Sequence, residues 1–132
     1  MIRLVLLALA AAIFAAGPAA AGGGWYLMLP PQTDYNKNAL YFESIKVLVN
    51  TPVSKWYQEG AYDSSNACEN SKTKYIRRAL SDYGKSFDEF RRLDDLNVKG
   101  TDAKRIAVEH DHANHERYMA ARCIASDDAR LR

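Results

Sequence analysis

The segment 109–116 concentrates the side chains of this chain that are best suited to bind a metal ion. It holds all three histidines and three carboxylates. Imidazole and carboxylate groups are the usual protein ligands of zinc, nickel and copper. On an α-helix, His112 and His115 lie about 60° apart and Glu116 lies beside His112, so these three side chains can reach one ion. If this segment binds an ion, the predicted ligands are His112, His115 and Glu116, with Glu109 as an alternative to Glu116.

The third histidine, His110, points about 160° away from His112 on the same helix. It falls in the middle of the arc that is predicted to be buried, which is formed by Ala103, Ile106, Ala107, Ala113 and Tyr118. We therefore predict that His110 packs inside the protein with a hydrogen-bond partner. Two other interpretations of the segment stay open: a solvated helix face without an ion, and a pH-sensing role for the imidazoles.

The sequence lacks the motifs of common enzyme classes. It contains no Gly-x-Ser-x-Gly elbow, no phosphate-binding glycine loop and no His-Glu-x-x-His zinc motif. Asp127 and Asp128 stand near Arg130, but adjacent residues on an extended segment point to opposite faces and cannot share a proton as an acid–base pair does. A turn with a local ion pair is the better interpretation there. We predict no catalytic residues, no cofactor and no enzymatic activity.

The first 21 residues have the three regions of a bacterial signal peptide. Arg3 gives a positive start, 4–16 is an unbroken apolar run, Gly17-Pro18 breaks the helix, and 19–21 supplies the small residues of a cleavage site. A membrane-spanning helix needs about 20 apolar residues, so this run is too short. We predict a signal peptide over 1–21, a single domain over 22–132, a periplasmic or secreted location, and no stable membrane insertion after cleavage. An uncleaved anchor is the alternative.

The only two cysteines, Cys68 and Cys123, are predicted to form a disulfide, because an exported chain folds in an oxidising compartment. The bond would close a loop of about 55 residues and stabilise the fold by roughly 4 kcal/mol. A redox role is disfavoured because there is no Cys-x-x-Cys motif. Two free thiols are the other alternative.

Charge is nearly balanced, with 18 basic and 16 acidic residues. This balance argues against a polybasic arm or an acidic tail and, together with export, against nucleic acid as a partner. The basic face formed by Lys74, Arg77, Arg78 and Lys85 is typical of a solvated helix, with contact to anionic envelope polymers as the alternative. The favoured partner class is an envelope protein or polymer.

Two strands are predicted before the first helix. Trp25–Leu29 is continuously apolar and is followed by Pro30-Pro31, which cannot donate ladder hydrogen bonds, so it predicts a strand buried on both faces or at the centre of a small sheet. The segment 55–62 is the second strand, rich in aromatic residues. Between them, 32–38 is predicted as a loop, and 39–49 as a strand or an irregular edge.

Three helices are predicted to follow. The N-cap cluster 63–66 begins the first, and Gly84 ends it. A capping-box pattern at 86–89 begins the second, over 87–97, and the third spans about 103–120. With a last strand over 122–126, this pattern predicts an α+β fold. We expect a small antiparallel sheet of about three strands packed against two to three helices, in the order β-β-α-α-α-β.

Both ends of the chain resemble an uncharacterised group of short exported bacterial proteins. The segment 25–31, WYLMLPP, is similar to the WYLM-x-PP strand that opens them, and 122–131, RCIASDDARL, is similar to their CIASDD-x-R-L ending. A central block also matches, at Trp56, Gly60, Tyr62-Asp63 and Cys68-Glu69. The chain departs from the group at Ala129, where proline is usual, and over 32–50 and 87–114.

The resemblance implies a shared fold and export, and no activity. It also implies that the first strand, the cysteine pair and the last strand form one structural unit. From the residues and the resemblance together, we predict an exported, disulfide-bonded domain with a binding or structural role. The alternative function is periplasmic metal binding through His112, His115 and Glu116.

Overall fold

The computed structural model describes residues 24–97 and 101–132 of the chain. The predicted signal peptide over 1–21 lies outside these residues. In the described ranges, no helix combines the length and the apolar composition that crossing a membrane requires.

A three-stranded antiparallel sheet forms one layer of the fold, as predicted. Strand β1 (Trp25–Leu29) lies at its centre, between β2 (Tyr57–Tyr62) and β3 (Arg122–Ala125). Successive side chains of a strand point to opposite faces, and both faces of β1 are covered by apolar groups. This double cover explains why the sequence of β1 is apolar without alternation.

Each face of the sheet has its own apolar cluster. The cluster on the helical side contains Leu27, Leu29, Cys68 and Ala121. The cluster on the opposite side contains Met28, Val53, Trp56 and Ile124. Val53 begins a short 3-10 helix, Val53–Lys55, that precedes β2. The second strand therefore begins at Tyr57 and not at residue 55 as predicted, because this turn directs Val53 and Trp56 into the second cluster.

Two helices in the described residues form the other layer. Helices α1 (Ser65–Asp95) and α2 (Asp102–Ala120) run antiparallel. Near the sheet, the rings of Tyr75 and Tyr118 stack with centroids 5.0 Å apart. Further along the pair, Lys104 Nζ lies 2.9 Å from Glu89 Oε1. Helix α1 starts within the predicted N-cap cluster, where the Ser64 hydroxyl accepts a hydrogen bond from an amide of the first turn.

The break predicted at Gly84 is wrong, and so is the separate helix predicted over 87–97. Helix α1 continues through Gly84 as one element of 31 residues. A glycine inside a helix costs only about 1 kcal/mol, and packing against α2 outweighs that cost. Ser86 does not cap a new helix, because its hydroxyl donates to the carbonyl of Tyr83 (3.1 Å). The order in the described residues is therefore β-β-α-α-β.

The connection between β1 and β2 is an irregular edge, and the strand predicted as one option for 39–49 is wrong. We call residues 31–50 the long loop. It folds back on itself through backbone hydrogen bonds from Thr33 to Lys46 and from Asn36 to Ser44. Ile45, 2% exposed, anchors it in the interior. The long loop therefore has a fixed path without belonging to the sheet.

The polar hydroxyl of Tyr118 connects helix α2 to the edge strand β2. It donates a hydrogen bond to Glu59 Oε1 at 3.0 Å. Burial and, after it, the Glu59 carboxylate raise the pKa of Tyr118 to about 12. Tyr118 therefore stays neutral over the physiological pH range and keeps this hydrogen bond.

The ion pair predicted at the end of the chain is present. Asp128 accepts hydrogen bonds from Nε and Nη2 of Arg130 at 3.0 and 2.8 Å. These contacts, with a backbone hydrogen bond from Arg130, lower the pKa of Asp128 to about 2. Asp128 also caps the 3-10 helix Ala129–Leu131. Its carboxylate therefore has a local structural role.

The predicted disulfide joins Cys68, in the first turns of α1, to Cys123 in β3. Cys68 is fully buried, and the two Cα atoms lie 5.9 Å apart. The bond closes a loop of sequence separation 55 that contains both helices. It therefore fixes the helical layer to the sheet at the end of the pair where α1 begins and α2 ends.

We predict that breaking this disulfide lowers the stability of the whole fold, because the bond restricts the unfolded chain over that loop. The expected loss is about 4 kcal/mol, or a melting temperature lower by roughly 15 °C for a domain of this size. Thermal unfolding followed by circular dichroism measures it, on the wild type with and without reductant and on the Cys68→Ala/Cys123→Ala variant. The reduced wild type and the variant should agree. An unchanged melting temperature after complete reduction would contradict the prediction.

Candidate functional site

Helix α2 turns the carboxylate of Glu109 toward the interior, and of the predicted apolar arc only Ala113 is buried. Its buried residues are Val108, Glu109 and Ala113. The predicted arc is exposed at Ala103, Ile106 and Ala107. The prediction that His110 is buried is therefore wrong: His110 is exposed, and its ring stacks beside that of Tyr35 at 6.3 Å. Alanine side chains bury little apolar area, whereas Glu109 gains hydrogen bonds from the long loop.

The buried carboxylate of Glu109 holds the backbone of the long loop at Phe42. The side chain of Glu109 is 1% exposed, and its Oε1 and Oε2 accept from the Phe42 amide at 3.0 and 2.8 Å. Phe42 has a φ of 63°, in the left-handed region that a bulky residue rarely adopts. Such a conformation costs about 1–2 kcal/mol, so it persists because the surroundings fix it. Glu109 supplies that constraint.

Arg105, one turn before Glu109, holds the same part of the loop. We call residues 39–43 the 39–43 turn. The Nη2 of Arg105 donates to the carbonyl of Ala39 at 3.2 Å, and its guanidinium lies 4.2 Å above the ring of Tyr41. Its Nε lies 3.8 Å from Glu109 Oε1, so the buried carboxylate has a cation beside it. Two charged residues of α2 thus fix the backbone and one ring of the 39–43 turn.

The ring of Phe42 connects the long loop to both helices. Its centroid lies 4.8 Å from that of His112 on α2, and 6.2 and 6.3 Å from those of Tyr83 and Phe87 on α1. Tyr83 also contacts the imidazole of His112 edge-on at 5.2 Å. Burial and, after it, the Glu109 carboxylate raise the pKa of Tyr83. The rings around His112 are therefore neutral and apolar.

The three predicted metal ligands lie together at a surface depression between α2 and the long loop. The depression has a volume of about 640 Å³ and is lined by Val47, Val49, His112, His115, Glu116, Met119 and Ala120. The ring of His115 stacks beside Tyr83, with centroids 6.5 Å apart. Glu109, the predicted alternative ligand, is occupied by Phe42 instead. The structure therefore brings His112, His115 and Glu116 to one depression, and Met119 and the loop wall line it with them.

One separation at this cluster, between His112 and Glu116, is longer than that between two ligand atoms of a bound ion. His112 Nε2 lies 3.9 Å from Glu116 Oε1. Ligand atoms on a tetrahedral ion with bonds of about 2.1 Å lie about 3.4 Å apart, so these two atoms would approach by about half an ångström. Within residues 24–97 and 101–132, no group of three or more His, Cys, Asp or Glu side chains is already arranged to hold a metal. Metal binding stays a prediction.

Sequence reasoning did not find the contacts that build the site. The sequence predicts Glu109 only as an alternative metal ligand, and it predicts no role for Arg105 or Phe42. Glu109 and Phe42 are 67 residues apart in the chain, and no local pattern links a helical carboxylate to a distant loop amide. The positive φ of Phe42 also has no signal in sequence, since glycine or asparagine is the usual residue there.

Comparison with known proteins found no relative: no protein-family model, no curated protein and no solved structure matches the chain.

We predict that Glu109→Ala destabilises the protein by about 3 kcal/mol, because it leaves the Phe42 amide without its acceptor and the Arg105 guanidinium without its carboxylate. Urea unfolding followed by tryptophan fluorescence measures the change. Glu109→Gln, which keeps one acceptor oxygen, should lose less.

Glu116→Ala is the matched control, since Glu116 lies on the same helix with a side chain that is 49% exposed. It should change the free energy of unfolding by less than about 0.5 kcal/mol. Equal effects of the alanine substitutions at Glu109 and Glu116 would contradict the structural role of Glu109.

Proposed function

We propose that this chain is an exported domain that acts in the periplasm or outside the cell by binding an envelope protein, and not by catalysis. The observation that carries the proposal is the disulfide between Cys68 and Cys123, which lies in the apolar cluster between sheet and helices. Disulfides of this structural kind are formed in oxidising compartments. The signal-peptide pattern over 1–21 gives the route to such a compartment.

The binding surface in this proposal is the outer side of the long loop. Large apolar side chains reach solvent there at Leu40, Tyr41, Leu48 and Val49, with Leu40 74% and Tyr41 51% exposed. Glu109 and Arg105 hold the 39–43 turn, which carries Leu40 and Tyr41, in one conformation. Little conformational entropy is therefore lost when this turn binds a partner. Rigid aromatic and aliphatic groups of this kind are enriched at protein interfaces. The balanced charge favours a protein over an anionic polymer as the partner.

The absence of catalysis in this proposal is supported by the structural roles of two carboxylates, those of Glu109 and Asp128. Glu109 accepts from the Phe42 amide and Asp128 accepts from Arg130. Both groups are therefore engaged in local structure, and neither is placed as a free acid or base.

The test is expression of the full chain, tagged at its C-terminus, in a Gram-negative host, followed by capture of partners from envelope extract. We expect the protein in the periplasmic fraction with its N-terminus processed after Ala21, as measured by mass spectrometry. We expect a partner that is retained by the wild type and lost at least tenfold by the Leu40→Asp/Tyr41→Asp variant, because two charges would enter the contact.

Leu80→Asp is the control, since Leu80 is 52% exposed on α1 and outside the long loop. It should capture the same partner as the wild type. An unprocessed protein in the cytoplasm would overturn export. Capture that is identical for all three proteins, or turnover on a broad substrate panel, would overturn the binding function.

A second candidate function, metal binding, is favoured by a separate observation: His112, His115 and Glu116 line one depression. The rings of Phe42 and Tyr83 restrict the orientation of the imidazoles, which reduces the entropy lost on binding an ion. His112 is 21% exposed at its side chain, so an ion can reach it from solvent.

Elemental analysis of protein purified without an affinity tag, and titration with zinc, copper and nickel, test this candidate. We expect one ion per chain and affinity at least tenfold weaker in His112→Ala, because one of three ligands is lost. His110→Ala, on the same helix but beside Tyr35, should bind as the wild type does. A metal content well below one ion per chain that is the same in the wild type and in His112→Ala would contradict metal binding at this site.

A further inference from the structure

We propose that the depression on α2 is a copper(I) site in which the sulfur of Met119 joins the imidazoles of His112 and His115. The proposal rests on the metal-binding candidate above and names the metal and one further ligand. It starts from the position of Met119, which is 58% exposed and lines the same depression as the two histidines, so its sulfur is accessible to an ion from solvent.

The spacing of these residues places them at one wall of the depression. His112 and Glu116 are four residues apart, and so are His115 and Met119. Residues four apart on a helix are surface neighbours with Cβ atoms about 5–6 Å apart. All four positions fall within an arc of about 100° on α2. The two pairs therefore lie side by side, and their four side chains can converge above the helix.

The chemistry of this ligand set selects among metals. A thioether is a soft, neutral ligand that suits copper(I), whereas zinc and nickel sites in proteins are built from imidazole, thiolate and carboxylate. Two imidazoles and one thioether form a three-coordinate set for copper(I) that needs no oxygen ligand. In this arrangement Glu116 supplies negative charge beside the ion.

The surroundings of the depression favour the same oxidation state. Val47 and Val49 of the long loop form its opposite wall, and the imidazoles lie against the rings of Phe42 and Tyr83. Copper(II) prefers tetragonal coordination by nitrogen and oxygen ligands. The side chains of this wall offer no nitrogen or oxygen ligand that would complete such coordination. The position of Val47 and Val49 in the long loop therefore supports the reduced ion.

The test is anaerobic titration of the whole protein, purified without a tag, with copper(I) kept reduced by ascorbate and held by a competing chromophoric chelator. We expect one copper(I) per chain, bound at least a hundredfold more tightly than zinc. Met119→Leu preserves size and apolarity and removes the sulfur, so it should weaken copper(I) at least tenfold and leave zinc affinity unchanged.

Silver(I), a redox-inert ion of the same softness, gives a second readout. On its addition, the Met119 methyl resonance in a 1H–13C NMR spectrum should shift, while that of Met28, buried in the second cluster, should not. If zinc binds and copper(I) binds no more tightly, with Met119→Leu without effect, the copper proposal is overturned while metal binding survives. If neither ion binds, both the metal-binding candidate and the copper proposal fail.

Discussion

The carboxylate of Glu109 is the group on which the outer surface of this protein depends. A buried carboxylate is expensive to remove from water unless hydrogen bonds and a cation compensate it. Here the amide of Phe42 and the guanidinium of Arg105 provide both. As a result, this part of the long loop is held against both helices. The backbone of Phe42 also keeps a positive φ, which a bulky side chain disfavours. The conformation of the apolar 39–43 turn depends on this contact, whereas backbone hydrogen bonds and the buried Ile45 hold the rest of the long loop.

The disulfide has the corresponding role on the other side of the molecule. Cys68 and Cys123 join the helix pair to the sheet where the first turns of α1 meet β3. Around the bond, Leu27 and Leu29 of the central strand fill the interface. The fold is thus stabilised at two places by two different physical effects. A covalent restriction of the unfolded chain acts at the sheet, and a buried electrostatic contact acts at the long loop.

Sequence reasoning succeeded where the determining information is local. The apolar run Trp25–Leu29 ended by two prolines, the extent of α2 and the cysteine pair were all predicted correctly. It failed where tertiary packing overrides a local signal. Gly84 and the capping pattern at 86–89 indicate a helix end, but packing against α2 keeps α1 continuous. His110 lies on the more apolar arc of α2, but hydrogen bonding at Glu109 decides which side of that helix is buried.

The uninterrupted length of α1 has a consequence for how the molecule opens. At about 1.5 Å per residue, its 31 residues extend about 46 Å, whereas strands of this sheet span roughly 20 Å at most. Cys68 and Tyr75 lie in the part beside the sheet, and Tyr83, Phe87 and Phe90 lie in the part that the long loop covers. The hairpin therefore has two segments of unequal local stability, one tethered covalently and one not. The proposed contact surface lies beside the untethered segment, so only non-covalent contacts oppose its opening, and those of Glu109 and Arg105 hold the 39–43 turn.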